Sequence, residues 1–316
     1  MVIDQVAGKN WQLYNGDCVE VVKGLPAESV GFSVFSPPFA SLYTYSNSER
    51  DMGNCRDDSE FMIHFAFLVA ELFRVTKPGR LCSFHCMNLP TSKQHHGVIG
   101  LRDFRGELIR CFEQVGWVFH SEVCIWKDPV TAMQRTKALG LLHKQVVKDS
   151  CMSRQGVPDY LVTMRKPGDN AEPVAGCFRE YAGQDPEPLR SHYTSDGDSR
   201  NRYSIEVWQR YASPVWMDIN PSDTLQKESA REERDEKHIC PLQLQVIERA
   251  LVLWSNPRDV VLSPFAGIGS EGYQAIRMGR RFIGVELKPS YYRQAHLNLV
   301  AAEHKQAELI PLSEAV

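Results

Sequence analysis

The run Val30-Gly31-Phe32-Ser33-Val34-Phe35 is short and apolar, and it stops at Ser36-Pro37-Pro38-Phe39. Neither proline can donate a backbone N–H, so a sheet ladder cannot continue through them, and their fixed φ turns the chain out of the sheet. A strand that must end there has its carboxyl edge at Ser36, and open α/β sheets bind ligands at that edge. The Ser36 hydroxyl, the carbonyls of Ser36 and Pro37 and the aromatic Phe39 converge on it. Such a set suits a planar base, whose amino group donates to oxygen while a ring stacks on its face. Taken alone, a Pro-Pro turn reads better as a rigid loop.

Strand and helix patterns alternate along most of the chain. Before the proline turn, Asn15-Gly16-Asp17-Cys18 is a turn signal leading into a helix over 19–25. After a polar loop over 41–58, Phe61, Phe65, Leu68 and Leu72 at helical spacing predict a helix over 59–75, ended by Lys77-Pro78-Gly79. A strand over 80–86, a helix over 104–115 and a strand over 117–126 follow. A second block starts near Pro241, with a helix over 242–254, a strand over 260–262, a glycine-rich turn, a helix over 272–278, a strand over 282–286 and a helix over 290–304. Strands alternating with helices predict an α/β fold with a mostly parallel central sheet and helices on both faces. With 316 residues, 43% of them hydrophobic, the chain is long enough to bury such a core.

The second informative turn is Pro264-Phe265-Ala266-Gly267-Ile268-Gly269, set between a strand and a helix start. Its glycines let a ligand approach the backbone, and the helix start presents free amides. Glu286 ends the next strand, where a carboxylate can accept the hydroxyls of a ribose.

Together the two turns resemble those of DNA methyltransferases that modify exocyclic amino groups. Ser36-Pro37-Pro38-Phe39 is similar to their S/D/N-P-P-Y/F motif, and residues 264–269 to their D-P-F-x-G-x-G cofactor motif, with Ser263 where the family carries Asp. Gly284-Val285-Glu286 resembles the acidic strand end that holds the cofactor ribose, and Asn15-Gly16-Asp17 the turn before the catalytic motif. Lys237-His238-Ile239-Cys240-Pro241 stands where the family has a K-H-P-like segment. The resemblance covers about 12–126 and 237–300. Its order, with the catalytic motif first and the cofactor motif last, is that of the permuted β class, and the chain also resembles methylases carried by bacteriophages. It implies a Rossmann-like, S-adenosylmethionine-dependent methyltransferase fold with an irregular target-recognition insertion. The implied organisation is a catalytic half over 1–126, a basic DNA-contacting and target-recognition region over 127–236, and a cofactor-binding half over 237–316.

The resemblance implies catalytic roles for Ser36, Pro37, Pro38 and Phe39. It implies cofactor contacts from Asp17, Cys18, Ser36, His238, Pro264, Phe265, Ala266, Gly267, Gly269 and Glu286. The substrate would be double-stranded DNA with its target base flipped out of the helix. Ser36 Oγ and the Pro37 carbonyl would hold the amino hydrogens and turn the nitrogen lone pair toward the methyl group. No cysteine flanks the Pro-Pro turn, which argues against carbon-5 cytosine chemistry. Ser in the first motif position favours N4 of cytosine. N6 of adenine, an RNA or protein amide, and a catalytically silent DNA-binding protein remain alternatives.

Charge decides where DNA would lie. The net charge of −3 excludes a wholly basic nucleic-acid binder but not a local groove. Residues 127–166 carry eight basic against three acidic side chains, so Arg135, Lys137, Lys144 and Lys148 are candidate phosphate contacts, with Tyr43, Tyr45 and Arg50 candidates in the loop before them. Residues 167–236 reverse the balance, with eight basic against fifteen acidic, and read as the least regular stretch. No apolar run is long enough to span a membrane, and no leader pattern opens the chain. The nine scattered cysteines fit reduced thiols in a cytoplasm better than a disulfide framework. Strand alternation puts Cys82 and Cys86 on the face opposite His85, so no metal site is expected there.

Overall fold

A computed structural model of the chain describes residues 2–39, 52, 55, 58–91, 93, 97–130, 143–152, 155–174, 207–226 and 241–309. Apolar runs form its sheet: β1 (Val2–Ala7), β2 (Trp11–Gly16), β3 (Val30–Phe35), β4 (Thr76–Cys86), β7 (Val118–Ile125), β8 (Asp159–Arg165), β9 (Val215–Trp216), β10 (Val260–Ser263) and β11 (Arg281–Glu286). The order across it is β1-β2-β11-β10-β3-β4-β8-β7-β9. Strands β5 (Leu89–Thr91) and β6 (Gly100–Arg102) pair apart from it. β2, β11, β10, β3 and β4 are mutually parallel, and β8 is antiparallel to both of its neighbours, β4 and β7. Chain order and spatial order differ sharply, because β3 lies directly beside β10.

Both faces of the sheet are covered, and the central strand β3 is buried along its whole length. On one face lie α1 (Cys18–Lys23), α2 (Asp58–Val75) and α3 (Phe104–Val115), packed around Phe61, Phe65, Leu68, Phe84, Phe104 and Phe112. On the other lie α5 (Leu244–Trp254), α6 (Ser270–Arg277) and α7 (Pro289–Leu309), packed around Phe32, Val34, Ile247, Leu251, Ile276 and Leu299. A short helix, α4 (His143–Lys148), buries none of its side chains. No helix among the described residues is long and apolar enough to cross a membrane.

Two elements differ from the expectation. Lys77-Pro78-Gly79 does end α2, but β4 already begins at Thr76 and carries these residues through an irregularity in its pairing with β3, with Gly79 at φ +70°. Residues 159–165, counted above in a basic surface segment, are instead strand β8 in the interior of the sheet. Lys166 just beyond it is buried, its Nζ donating to the Thr76 carbonyl at 2.7 Å. Part of the basic excess over 127–166 is therefore internal.

Candidate active site

Because β2, β11, β10, β3 and β4 run the same way, their carboxyl ends line one edge of the sheet. Asp17 follows β2, Glu286 ends β11, residues 264–269 follow β10, residues 36–39 follow β3 and His85 lies near the end of β4. The antiparallel β8 brings its first residue, Asp159, to the same edge, and Lys127 arrives there just beyond the end of β7.

The glycine turn is held by its neighbours. Glu286 Oε2 accepts the Gly267 N–H at 2.8 Å, and Oε1 accepts the Lys288 N–H at 2.8 Å. The Ala266 N–H donates to the Val285 carbonyl at 2.8 Å. Asn15 Nδ2 donates to the carbonyls of Glu286 and Leu287 at 2.8 and 2.9 Å, tying the end of β2 to that of β11. Asp17 Oδ1 accepts the Val19 and Glu20 amides and so caps α1. Glu286 thus organises the turn through both of its carboxylate oxygens.

The two glycines serve different ends. Gly267 (φ +53°) would place a Cβ in open space, so nothing among the described residues packs against that face. Gly269 (φ +86°) would place one 3.2 Å from Ala295 of α7, a tight contact added to a left-handed backbone that favours glycine. Buried Ser263 Oγ and Ser270 Oγ, at the two ends of this turn, have no protein partner among the described residues. An open glycine face, orphaned hydroxyls and a strand-end carboxylate fit a polar ligand carrying a ribose. The Cys18 side chain packs in the core, and burial, reinforced by the Asp17 charge, pushes its thiol well up.

The proline turn lies immediately beside the glycine turn. The rings of Phe35 and Phe265, which flank the two, are 5.8 Å apart. Pro37 is buried, whereas Ser36, Pro38 and Phe39 are half-buried. The Phe39 ring meets Phe104 edge-on at 6.4 Å. Ser36 Oγ lies 3.3 Å from His85 Nδ1 and 3.4 Å from the His85 carbonyl. His85 Nε2 in turn is 3.0 Å from Asp159 Oδ2, close though not aligned for a full hydrogen bond, and Lys127 Nζ is 2.5 Å from the same oxygen. Burial alone would raise the Asp159 carboxyl, but Lys127 and His85 outweigh it and hold it at about 2.

His85 and Asp159 were not among the expected site residues. The signal for His85 lay in strand register: Phe35 pairs with Phe84, so the residues following them, Ser36 and His85, meet at the edge. Lys144 and Lys148 are exposed on α4. Tyr43, Tyr45, Arg50, Arg135, Lys137, Lys237 and His238 lie outside the described residues. No group of three metal-ligating side chains occurs among the described residues. Cys82 and Cys86 are buried with Phe84 on the face covered by α1, α2 and α3, and burial pushes both thiols up.

Residues 30–297 match the DNA methylase family of N6 and N4 methyltransferases. The Type II methyltransferase M.BglII of Bacillus subtilis is 24% identical over 282 residues, covering 89% of this chain, and the chain spans 66% of that enzyme's length. The DNA adenine methyltransferase YhdJ of Escherichia coli is 24% identical over 299 residues, covering 94% of this chain and 85% of the relative. Among solved structures, TTHA0409 of Thermus thermophilus complexed with S-adenosyl-L-methionine shares the fold, with a TM-score of 0.61 and 21% identity over 93% of this chain and 96% of that one. With the family match spanning most of its length, the chain belongs to the S-adenosylmethionine-dependent DNA methylases of the N6/N4 type.

Proposed function

We propose that this protein transfers a methyl group to the exocyclic amino nitrogen of a flipped DNA base, with N4 of cytosine as the target. One observation carries the reading: the proline turn and the glycine turn leave adjacent parallel strands, β3 and β10, at the same edge. The cofactor supplies an electrophilic methyl carbon on a sulfonium. Gly267, Ser263, Ser270 and Glu286 hold it, with the Asp17 turn closing the far side of the cleft.

The chain's own work falls to the proline turn. An exocyclic amine is a poor nucleophile because its lone pair is delocalised into the ring. Ser36 Oγ and the Pro37 carbonyl accept its two hydrogens, which turns the lone pair out of conjugation and stabilises the positive charge that grows on nitrogen. Phe39 stacks on the base, worth about 1–3 kcal/mol, offsetting a flipping cost of a few kcal/mol. Lys144 and Lys148 face DNA phosphates.

Ser36 favours cytosine, since serine in the first position of the motif goes with N4 chemistry in the family it resembles. Adenine N6 is the second reading, favoured by the likeness to the adenine methyltransferase YhdJ. Labelled methyl transfer to DNA followed by digestion to nucleosides separates them. Label in N4-methylcytosine, lost in Ser36→Ala, is expected. Label in N6-methyladenine moves the target, and label in 5-methylcytosine or none at all overturns the proposal.

A further inference from the structure

Resting on that reading of the proline turn, we infer that His85 is a positioning residue that fixes Ser36 as a hydrogen-bond acceptor and receives the proton lost by the target amine, with Asp159 holding its ring. The chain of contacts runs from Ser36 Oγ to His85 Nδ1 at 3.3 Å and from His85 Nε2 to Asp159 Oδ2 at 3.0 Å, and ends at Lys127 Nζ, 2.5 Å from that oxygen. His85 and Asp159 are 8% and 3% exposed, so bulk water does not compete for these contacts.

A carboxylate beside Nε2 favours the tautomer that carries its hydrogen there, leaving Nδ1 as an acceptor. The Ser36 hydroxyl hydrogen then points back toward His85, whether to Nδ1 or to the carbonyl 3.4 Å away. In either case both lone pairs of Ser36 Oγ face the cleft. That is the polarity an amino group needs, and it prevents the hydroxyl from donating to the base instead.

The proton balance requires the same groups. Forming the nitrogen–methyl bond, with loss of the cofactor's carbon–sulfur bond, leaves the amino nitrogen with one proton and one positive charge in excess. That proton passes to Ser36 Oγ as the serine's own hydrogen moves to His85 Nδ1, so the hydroxyl is regenerated and the charge ends on an imidazolium beside Asp159. No oxidant, metal or further reactant enters. Although Ser, His and Asp in this order also occur in acyl hydrolases, the turn is unsuited to that chemistry. Pro37 and Pro38 have no N–H, so the residues after Ser36 give no oxyanion donor there.

The environment is specific. His85 faces Ser36 from β3, Asp159 from β8 and Lys127 from beyond β7. The Arg105–Glu122 pair, with Glu122 on β7, Tyr160 under the Arg105 guanidinium, Asp103, Cys86 and Cys124 form the next ring of titratable and charged groups. A buried carboxylate loses its hydration unless it is paired, and here its partners are Lys127 and His85, the histidine that reaches Ser36.

The test is single-turnover methyl transfer to DNA as a function of pH in the full-length protein and in His85→Asn, Asp159→Asn and Ser36→Ala. The expected result for His85→Asn is a rate lowered about 100-fold, with cofactor affinity unchanged within about twofold and the acid-side fall of the rate abolished. Asp159→Asn keeps the ring but loses its anchor, and it should lower the rate about tenfold while retaining the acid limb. Nitrogen-15 spectra of the histidine ring, taken without cofactor, give an independent readout: Nε2-protonated His85 in the native protein and a mixed tautomer in Asp159→Asn. Wild-type rate and pH profile in His85→Asn, with Ser36→Ala inactive, overturn this inference and leave the reading of the proline turn standing. Absence of DNA methylation by the unaltered protein overturns both.

Discussion

Glu271 is buried at the start of α6, one residue beyond the orphaned Ser270. Burial, with the Glu286 charge adding to it, raises its carboxyl from 4.5 to about 8, against a smaller opposing effect of its own backbone amide. The folded protein therefore holds this proton over a range where the unfolded chain has released it. Stability from this group is complete at acid pH and is lost as pH climbs from the ordinary glutamate range toward 8. Glu271→Gln removes the dependence. Denaturant unfolding at pH 5 and pH 8.5 should show the variant gaining about 3–5 kcal/mol on the native protein between the two, at about 1.4 kcal/mol for each tenfold change in proton affinity. A difference that does not change with pH contradicts the assignment.

At the level of elements, the strands are pinned together at the end away from the site by Arg80 and Asp259. The pair is almost fully buried between the start of β4 and the residue before β10. Arg80 also donates to the Gly31 carbonyl of β3 at 2.9 Å, and Asp259 accepts the Asn256 amide at 2.7 Å. Gly31 is obligatory, since a Cβ there would come within 2.8 Å of the Asp259 carboxylate. Asp259→Ala leaves the guanidinium buried without its anion, and equilibrium unfolding should show a loss of about 3–5 kcal/mol. An unaltered unfolding free energy would remove the pair from this role. The same elements mark what the sequence could reveal. Helices such as α3 were legible to the residue because Asp103 caps the start and Gly116 ends it in the left-handed conformation. Strand β8 was not, because Asp159 and Lys166 at its ends look like surface charges until Lys127, His85 and Thr76 come in from distant parts of the chain. For the same reason the two turns of the site were readable as local motifs, whereas His85 and Asp159 became visible only with the strand pairing.

For the whole molecule, the consequence of the permuted chain order is that segments more than two hundred residues apart deliver neighbouring turns to one edge. β10 and β11 bring the glycine turn and Glu286, β3 brings Ser36, and β4 and β8 bring the groups behind it. On the proposed reading, two functions share one cleft, cofactor capture on one side and amine handling on the other. Cofactor affinity and single-turnover transfer to DNA, measured together in Ser36→Ala and Glu286→Ala, test this division most directly. Ser36→Ala removes only the hydroxyl assigned to the amine and keeps any backbone contact of residue 36 with the cofactor, so it should bind S-adenosylmethionine with native affinity within about threefold and lose transfer at least about 100-fold. Glu286→Ala should weaken binding about 10–100-fold, the loss of a charged hydrogen bond, while largely recovering transfer at saturating cofactor. Weakened cofactor binding in Ser36→Ala with transfer intact, or native affinity in Glu286→Ala, would contradict it.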